Sequence, residues 1–96
     1  MIVTLEEALS AMRIDAGVED EHIGRLIQDA EELILGYLGR TEDELVEKYG
    51  HIPYGVRRAI CLVVASLYKN REMEEGQQKS LNRLFIPLII RYRRLV

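Results

Sequence analysis

The run CLVVASLY, Cys61 to Tyr68, limits most strongly what this chain can become. Seven of its eight residues are apolar, and Lys69-Asn70-Arg71-Glu72 follows at once. Extended back to Ala59, the apolar stretch is about 15 Å long as a helix. A bilayer core is about 30 Å thick. Arg57 and Arg58 precede the stretch and Lys69 follows it, so it is a core helix and not a membrane span. Val56, Ile60, Val63, Val64 and Leu67 form one stripe, while Ala59, Cys61, Leu62 and Ala65 make most of the remaining circumference apolar. A helix of that kind sits centrally, touched by neighbours on several sides. Pro53 suits its first turn, and the pattern predicts a helix from about Tyr54 to Arg71.

The other elements supply the cover. Thr4-Leu5-Glu6-Glu7 reads as a capping box, in which the Thr4 hydroxyl takes the Glu7 N–H and Glu7 reaches back. Leu5, Ala8, Leu9 and Met12 follow at helical spacing, and Arg13 ends this short helix. Asp20 is the expected N-cap of a longer one. There, Ile23, Leu26, Ile27, Ala30, Leu33, Ile34, Tyr37 and Leu38 mark an apolar face, with Gln28, Asp29, Glu31 and Glu32 opposite. Gly39 is its natural stop. Thr41-Glu42-Asp43-Glu44 is a second capping box, opening a short helix that closes at Gly50. Glu72 to Lys79, around Gly76, reads as a mobile loop. Ser80 caps a last helix carrying Leu81, Leu84 and Phe85, which Pro87 kinks or ends. The expected fold is all-α: a small bundle of three to four main helices, a central apolar helix, and a mobile C-terminal arm over 80–96. With 96 residues, the chain is read as one domain.

Charge is distributed unevenly. Residues 1–50 carry 13 acidic and 4 basic side chains, and residues 51–96 carry 3 acidic and 9 basic. A bipolar chain can set its acidic surface against a neighbour's basic one, which favours head-to-tail assembly. Two solvated faces would give the same composition.

Catalytic chemistry has little to draw on. Cys61 is the only cysteine. A lone thiol in an apolar run behaves as a small hydrophobe, and the absence of a second cysteine fits a reducing compartment. His22 and His51 are far apart, and no spacing matches a zinc or calcium site. The acidic clusters Glu19-Asp20-Glu21 and Glu42-Asp43-Glu44 lie at helix N-termini, where carboxylates gain roughly 0.3–1 kcal/mol from the helix dipole. The expectation is no enzyme, no cofactor and no metal. MIVTLEEAL lacks the basic region and long apolar stretch of a secretory signal. A helix-turn-helix DNA reader is the rival reading, built from the short helix, Gly50 and the helix after Pro53. Its recognition helix would offer only Arg57, Arg58 and Lys69 on an otherwise apolar body. The basic tail Arg91-Tyr92-Arg93-Arg94 can contact phosphates or dock on an acidic protein surface.

Several segments together resemble the tailed-phage head–tail connector (adaptor) family of small DNA-packaging proteins. MIVTLEEALSAMRID gives an extended start, a capped helix and Arg-Ile-Asp. EDEHIGRLIQDAEELILGYLGR gives an acidic loop and a long helix. PYGVRRAICLVVASLYKNRE is the most recognisable part, a Pro-led helix ending Tyr68-x-Asn70-Arg71-Glu72. LFIPLIIRYRRL resembles the family's final leucine-rich turn, Pro and Tyr-Arg. The Leu88-Ile89-Ile90 insertion departs from the usual form, and TEDELVEKYG is longer than typical. The resemblance implies a structural, non-catalytic subunit that forms a homo-oligomeric ring between portal and tail. It implies partners in the portal protein and a tail-proximal connector or stopper. DNA would pass through the ring without sequence-specific binding. The expected location is the head–tail junction of a virion, reached by assembly in the host cytoplasm, with no membrane. The residues expected at the oligomer or portal interface are Tyr68, Asn70, Arg71, Glu72, Arg91, Tyr92, Arg93 and Arg94. For the first four, the competing expectation is a structural cap on the central helix.

Overall fold

The computed structural model describes residues 2–69, 83 and 85–94. Four α-helices run in chain order: α1, Leu5–Met12; α2, Asp20–Leu38; α3, Glu42–Tyr49; and α4, Tyr54–Lys69. Residues 85–89 are also helical and tighten into a 3₁₀ turn, Ile90–Tyr92. The described residues contain no strand.

Helix α4 occupies the position its composition demands. Val56, Ala59, Ile60, Val63 and Val64 are fully buried, and α4 packs on both α1 and α2. From α2 come Ile23, Ile27, Ala30, Ile34 and Leu38, all at zero exposure. Their spacing puts one side chain per turn on a single line, which is how an amphipathic helix meets a core. From α1 come Ala8 and Leu9. Pro53 stands one place before α4, and its carbonyl accepts from the N–H groups of Val56 and Arg57 at 3.0 and 3.3 Å.

The helix ends show where local chemistry wins and where a distant partner overrides it. Thr41 and Glu44 make the full capping box at α3, and Gly50 closes it with φ +82°. Gly39 closes α2 with φ +67°, a left-handed conformation that glycine adopts without a Cβ penalty. At α1 only half of the expected box forms. Thr4 accepts from the Glu7 N–H at 3.1 Å, but the Glu7 carboxylate turns to Arg57, 2.7 Å away on α4. At α2 the N-cap is Glu19, with no side-chain cap bond, and not Asp20. Asp20 is the first helical residue, and its carboxylate accepts from the Gly17 N–H at 2.8 Å. It closes the preceding turn and does not cap the helix.

Glu31 departs furthest from a solvated polar face. One of its oxygens accepts from the N–H groups of both Ile2 and Val3, at 2.6 and 3.1 Å. This bond seats the extended start of the chain, and Ile2 and Val3 join the core at 4% and 0% exposure.

The segment expected as a mobile arm is docked over residues 85–94. Phe85 and Ile89 are buried, and Phe85 meets Tyr37 of α2 edge to face at 6.1 Å. Pro87 does not end the helical stretch, which continues to residue 89 before tightening. The segment fits because α4 begins with a glycine at the contact. A Cβ added at Gly55 would lie 2.7 Å from the Leu88 carbonyl oxygen. Backbone meets backbone there, with no side chain to swing aside. The expected loop over 72–79, and the Ser80, Leu81 and Leu84 placements, lie outside the described residues.

Gly55→Ala therefore tests the docking. The gain of alanine over glycine in a helix is at most about 1 kcal/mol. Forced overlap in a packed contact costs typically 1–3 kcal/mol. Urea denaturation should show a net loss of stability, with faster amide exchange concentrated in residues 88–94. An unchanged midpoint would show that the segment yields freely.

Candidate assembly surface

The residues expected to form an interface divide into three groups. Tyr68, in the last turn of α4, donates its hydroxyl to a Glu19 carboxylate oxygen. Its ring lies 6.3 Å from the His22 ring, tilted by 44°. It is half-buried against the core and ties the end of α4 to the entry of α2. Asn70, Arg71 and Glu72 lie outside the described residues.

Arg91, Tyr92, Arg93 and Arg94 form the third group, and three of them are engaged within the chain. The Tyr92 ring meets Tyr49 of α3 edge to face at 5.4 Å. Its carbonyl accepts from the Arg40 side chain at 3.0 Å. The Arg93 guanidinium lies over the Tyr37 ring, 4.7 Å from its centre, a cation–π contact. The Arg94 N–H donates to the Leu38 carbonyl at 2.8 Å, and its guanidinium pairs with Glu44. Arg91 is exposed beside Ile90, itself 56% exposed. The basic end is thus a clasp on the corner between α2 and α3, from which Arg91 and Ile90 project.

The receiving residues of this clasp, Tyr37, Arg40, Glu44 and Tyr49, are not among those the sequence singled out. Nothing local marks them: Glu44 reads fully as a capping residue, and Tyr37 as part of the apolar face. Glu44 does both jobs. Its carboxyl is held below its ordinary value of 4.5, first by the Thr41 backbone N–H and then, against a desolvation that raises it, by the charge of Arg94.

Reactive chemistry is disfavoured at the one thiol. Burial and the nearby Glu7 carboxylate push the Cys61 pKa up, against a smaller opposite pull from Arg57. That keeps the sulfur protonated near neutrality, the reverse of an activated cysteine. No group of three or more metal-ligating side chains gathers among the described residues. His51 is exposed, and His22 Nε2 is buried with no hydrogen-bond partner among the described residues. No helix among them is long and apolar enough to cross a membrane. Nor does the α3–α4 pair favour a DNA reader: α4 is packed on both α1 and α2, and Arg57 is held by Glu7.

The family model for phage gp6-like head-tail connector proteins matches residues 2–93. The chain belongs to that family. It is accordingly a structural component of a phage particle, at the head–tail junction of the virion, in a family of connectors and not of enzymes. No curated protein and no solved structure matches it. The match takes in α1 to α4 and the clasp as far as Arg93, the same order of segments in which the resemblance was read.

Two measurements follow from these groups. Glu44 has a lowered folded pKa, so its stabilising contribution is present above 4.5 and is lost as pH falls through the lower folded value. Amide protection of residues 92–94, corrected for intrinsic exchange, should be flat from pH 7 to 5 and fall below that range. Glu44→Gln should lower protection at pH 7 and remove the acid dependence; an acid dependence that persists would place its origin elsewhere. At neutral pH, Cys61 in the folded chain should react with an aromatic disulfide reagent more slowly than a free thiol, and unfolding in urea should abolish the difference.

Proposed function

We propose that copies of this chain assemble into a ring between the portal and the tail, extending the channel through which DNA passes without sequence-specific binding. Membership of the connector family over residues 2–93 carries the reading. The charge split along the chain supports it, because a heterologous contact between unlike faces closes into a ring when the rotation allows. In this reading residues 1–96 act as one helical unit, without catalysis and without a cofactor. Assembly takes place in the host cytoplasm, and the ring then offers its far side to a tail-proximal connector or stopper.

Two separate surfaces are proposed for the portal or a neighbouring copy, one beside the first turn of α4 and one continuing from its last turn. Arg91 projects from the clasp with Ile90 beside it, an exposed cation next to an exposed aliphatic side chain. Asn70, Arg71 and Glu72 follow in sequence on Lys69, the last residue of α4, whose final turn Tyr68 ties to Glu19. Tyr92, Arg93 and Arg94 hold in place the backbone that presents Arg91. An acidic channel wall suits passage of DNA, since Lys and Arg facing phosphates would make binding strong and salt-dependent.

Native mass spectrometry of the chain, alone and with purified portal, tests the reading. Rings or portal-bound multimers are the expected result. A chain that stays monomeric and never binds portal removes it. Arg71→Ala and Arg91→Ala should each reduce portal-bound copies while leaving the thermal midpoint of the free chain within about 4 °C, as for surface changes of under about 0.5 kcal/mol. A fall in midpoint matching the loss of binding would assign Arg71 to a structural cap on α4.

A further inference from the structure

Two exposed features lie on opposite sides of the α2–α4 pair, and neither has an occupant among the described residues. On α4, Tyr54 is 75% exposed, and the exposed Arg58 one turn on has no partner among the described residues. On α2, Glu32, Leu35 and Gly36 form one wall of a groove of about 440 Å³, and Glu42 and Glu44 of α3 border the other side; Arg40 between them is held by the Tyr92 carbonyl and Glu44 by Arg94, which leaves Glu32 as the carboxylate without a partner among the described residues. Each helix turns its buried line toward the other. At 100° per residue, Tyr54 and Arg58 stand roughly 160° around α4 from its core line, and Glu32 and Gly36 stand roughly 160° around α2 from its own. The two features therefore face in opposite directions. Tyr68 of α4 touches Glu19 at the start of α2, so the helices run antiparallel. Tyr54 and the groove consequently lie at the same end of the molecule. Side-by-side copies would bring one against the other at one level.

We infer that the α2–α3 groove of one copy receives Tyr54 and Arg58 of the next. The inference rests on the ring reading and supplies its interface. Charge decides the occupant. Glu32 is exposed and has no partner among the described residues, and Arg58 is an exposed cation on the opposite face at the same end of the molecule, also without a partner among them. Arg57 differs, because Glu7 already holds it at 2.7 Å. An aromatic ring with a guanidinium one turn away suits an apolar floor with a carboxylate lip, and Tyr and Arg are the residue types that anchor interfaces best. Gly36 adds a second argument. It lies in the body of α2, where glycine is a poorer helix former than alanine, and a Cβ added there would meet nothing within 4 Å. No contact within the chain calls for a missing side chain. A ring entering the groove from a neighbour does. A contact that joins unlike faces and leaves each copy with one free face of either kind closes into a ring when the rotation between copies allows, and the portal sets that rotation in this reading.

Charge exchange in the full chain tests the pairing, with assembly on portal measured by native mass spectrometry. Arg58→Glu and Glu32→Arg should each lower the assembled fraction about tenfold, because like charges are then opposed across the contact. The double variant should recover most of the loss. Gly36→Gln should also block assembly while leaving the thermal midpoint unchanged or raised, which separates a filled groove from a damaged fold. Single variants that assemble like the natural chain, or a double variant no better than the singles, would overturn this interface and leave the ring reading intact. A natural chain that never assembles, with or without portal, would remove both.

Discussion

A helix that is apolar around most of its circumference must be covered from more than one direction, and the rest of this structure follows from how α4 is covered. Burial of an apolar side chain stabilises by about 1.5–3 kcal/mol, and α4 has five at zero exposure. No single partner helix reaches that much of its circumference. α2 takes the longest side, α1 a second, and the segment over 85–94 crosses the first turn of α4 at Gly55. The glycine there lets two backbones approach to where a side chain would stand. The requirement is geometric, and it turns a chain end with three arginines into part of the fold.

The charge split has a meaning that composition does not reveal. Acidic residues of the first half and basic residues of the second were expected to meet between copies. Two such pairs are made inside one copy: Glu7 with Arg57, and Glu44 with Arg94. Both join elements about fifty residues apart in sequence, one across α1 and α4 and the other across α3 and the clasp. They are partly exposed pairs, worth little individually in stability. Their effect is on register, since each aligns an element that few apolar contacts position. Charges with no partner among the described residues, such as Glu32 and Arg58, form a smaller set than the formal count suggests, and that set is the one available to a neighbour.

Local signals were legible in the sequence, and long-range ones were not. The span of α3 followed from its capping box and Gly50, the start of α1 from Thr4 and the end of α2 from Gly39, because a cap is decided within four residues. The central place of α4 followed from its composition alone. Glu7, Asp20 and Glu31 were misjudged for a common reason. A carboxylate has several lone pairs and takes the donor that folding brings nearest. For Glu7 that donor was Arg57 of α4, for Asp20 the amide of Gly17, and for Glu31 the amides of Ile2 and Val3. The clasp was hidden in the same way. Arg91 to Arg94 read as a basic end available to phosphates or to another protein, since the Tyr37, Tyr49 and Glu44 side chains that receive it lie more than forty residues away.

The separation between folding residues and available residues bears on how such a subunit can remain soluble and then assemble. If the same apolar atoms had to serve the core and the contact between copies, the free subunit would expose a patch prone to indiscriminate association. Here the core closes completely: no polar or charged residue is buried among the described residues, and the large apolar side chains left exposed are scattered, Val18, Val46, Tyr54 and Ile90. Scattered anchors flanked by charges bind weakly one at a time. In the proposed ring they act together, because the last copy to enter is held on both sides at once and its second contact forms within an already assembled complex. On that proposal, the modest exposed surface of a single copy lets the copies stay apart until the portal gathers them.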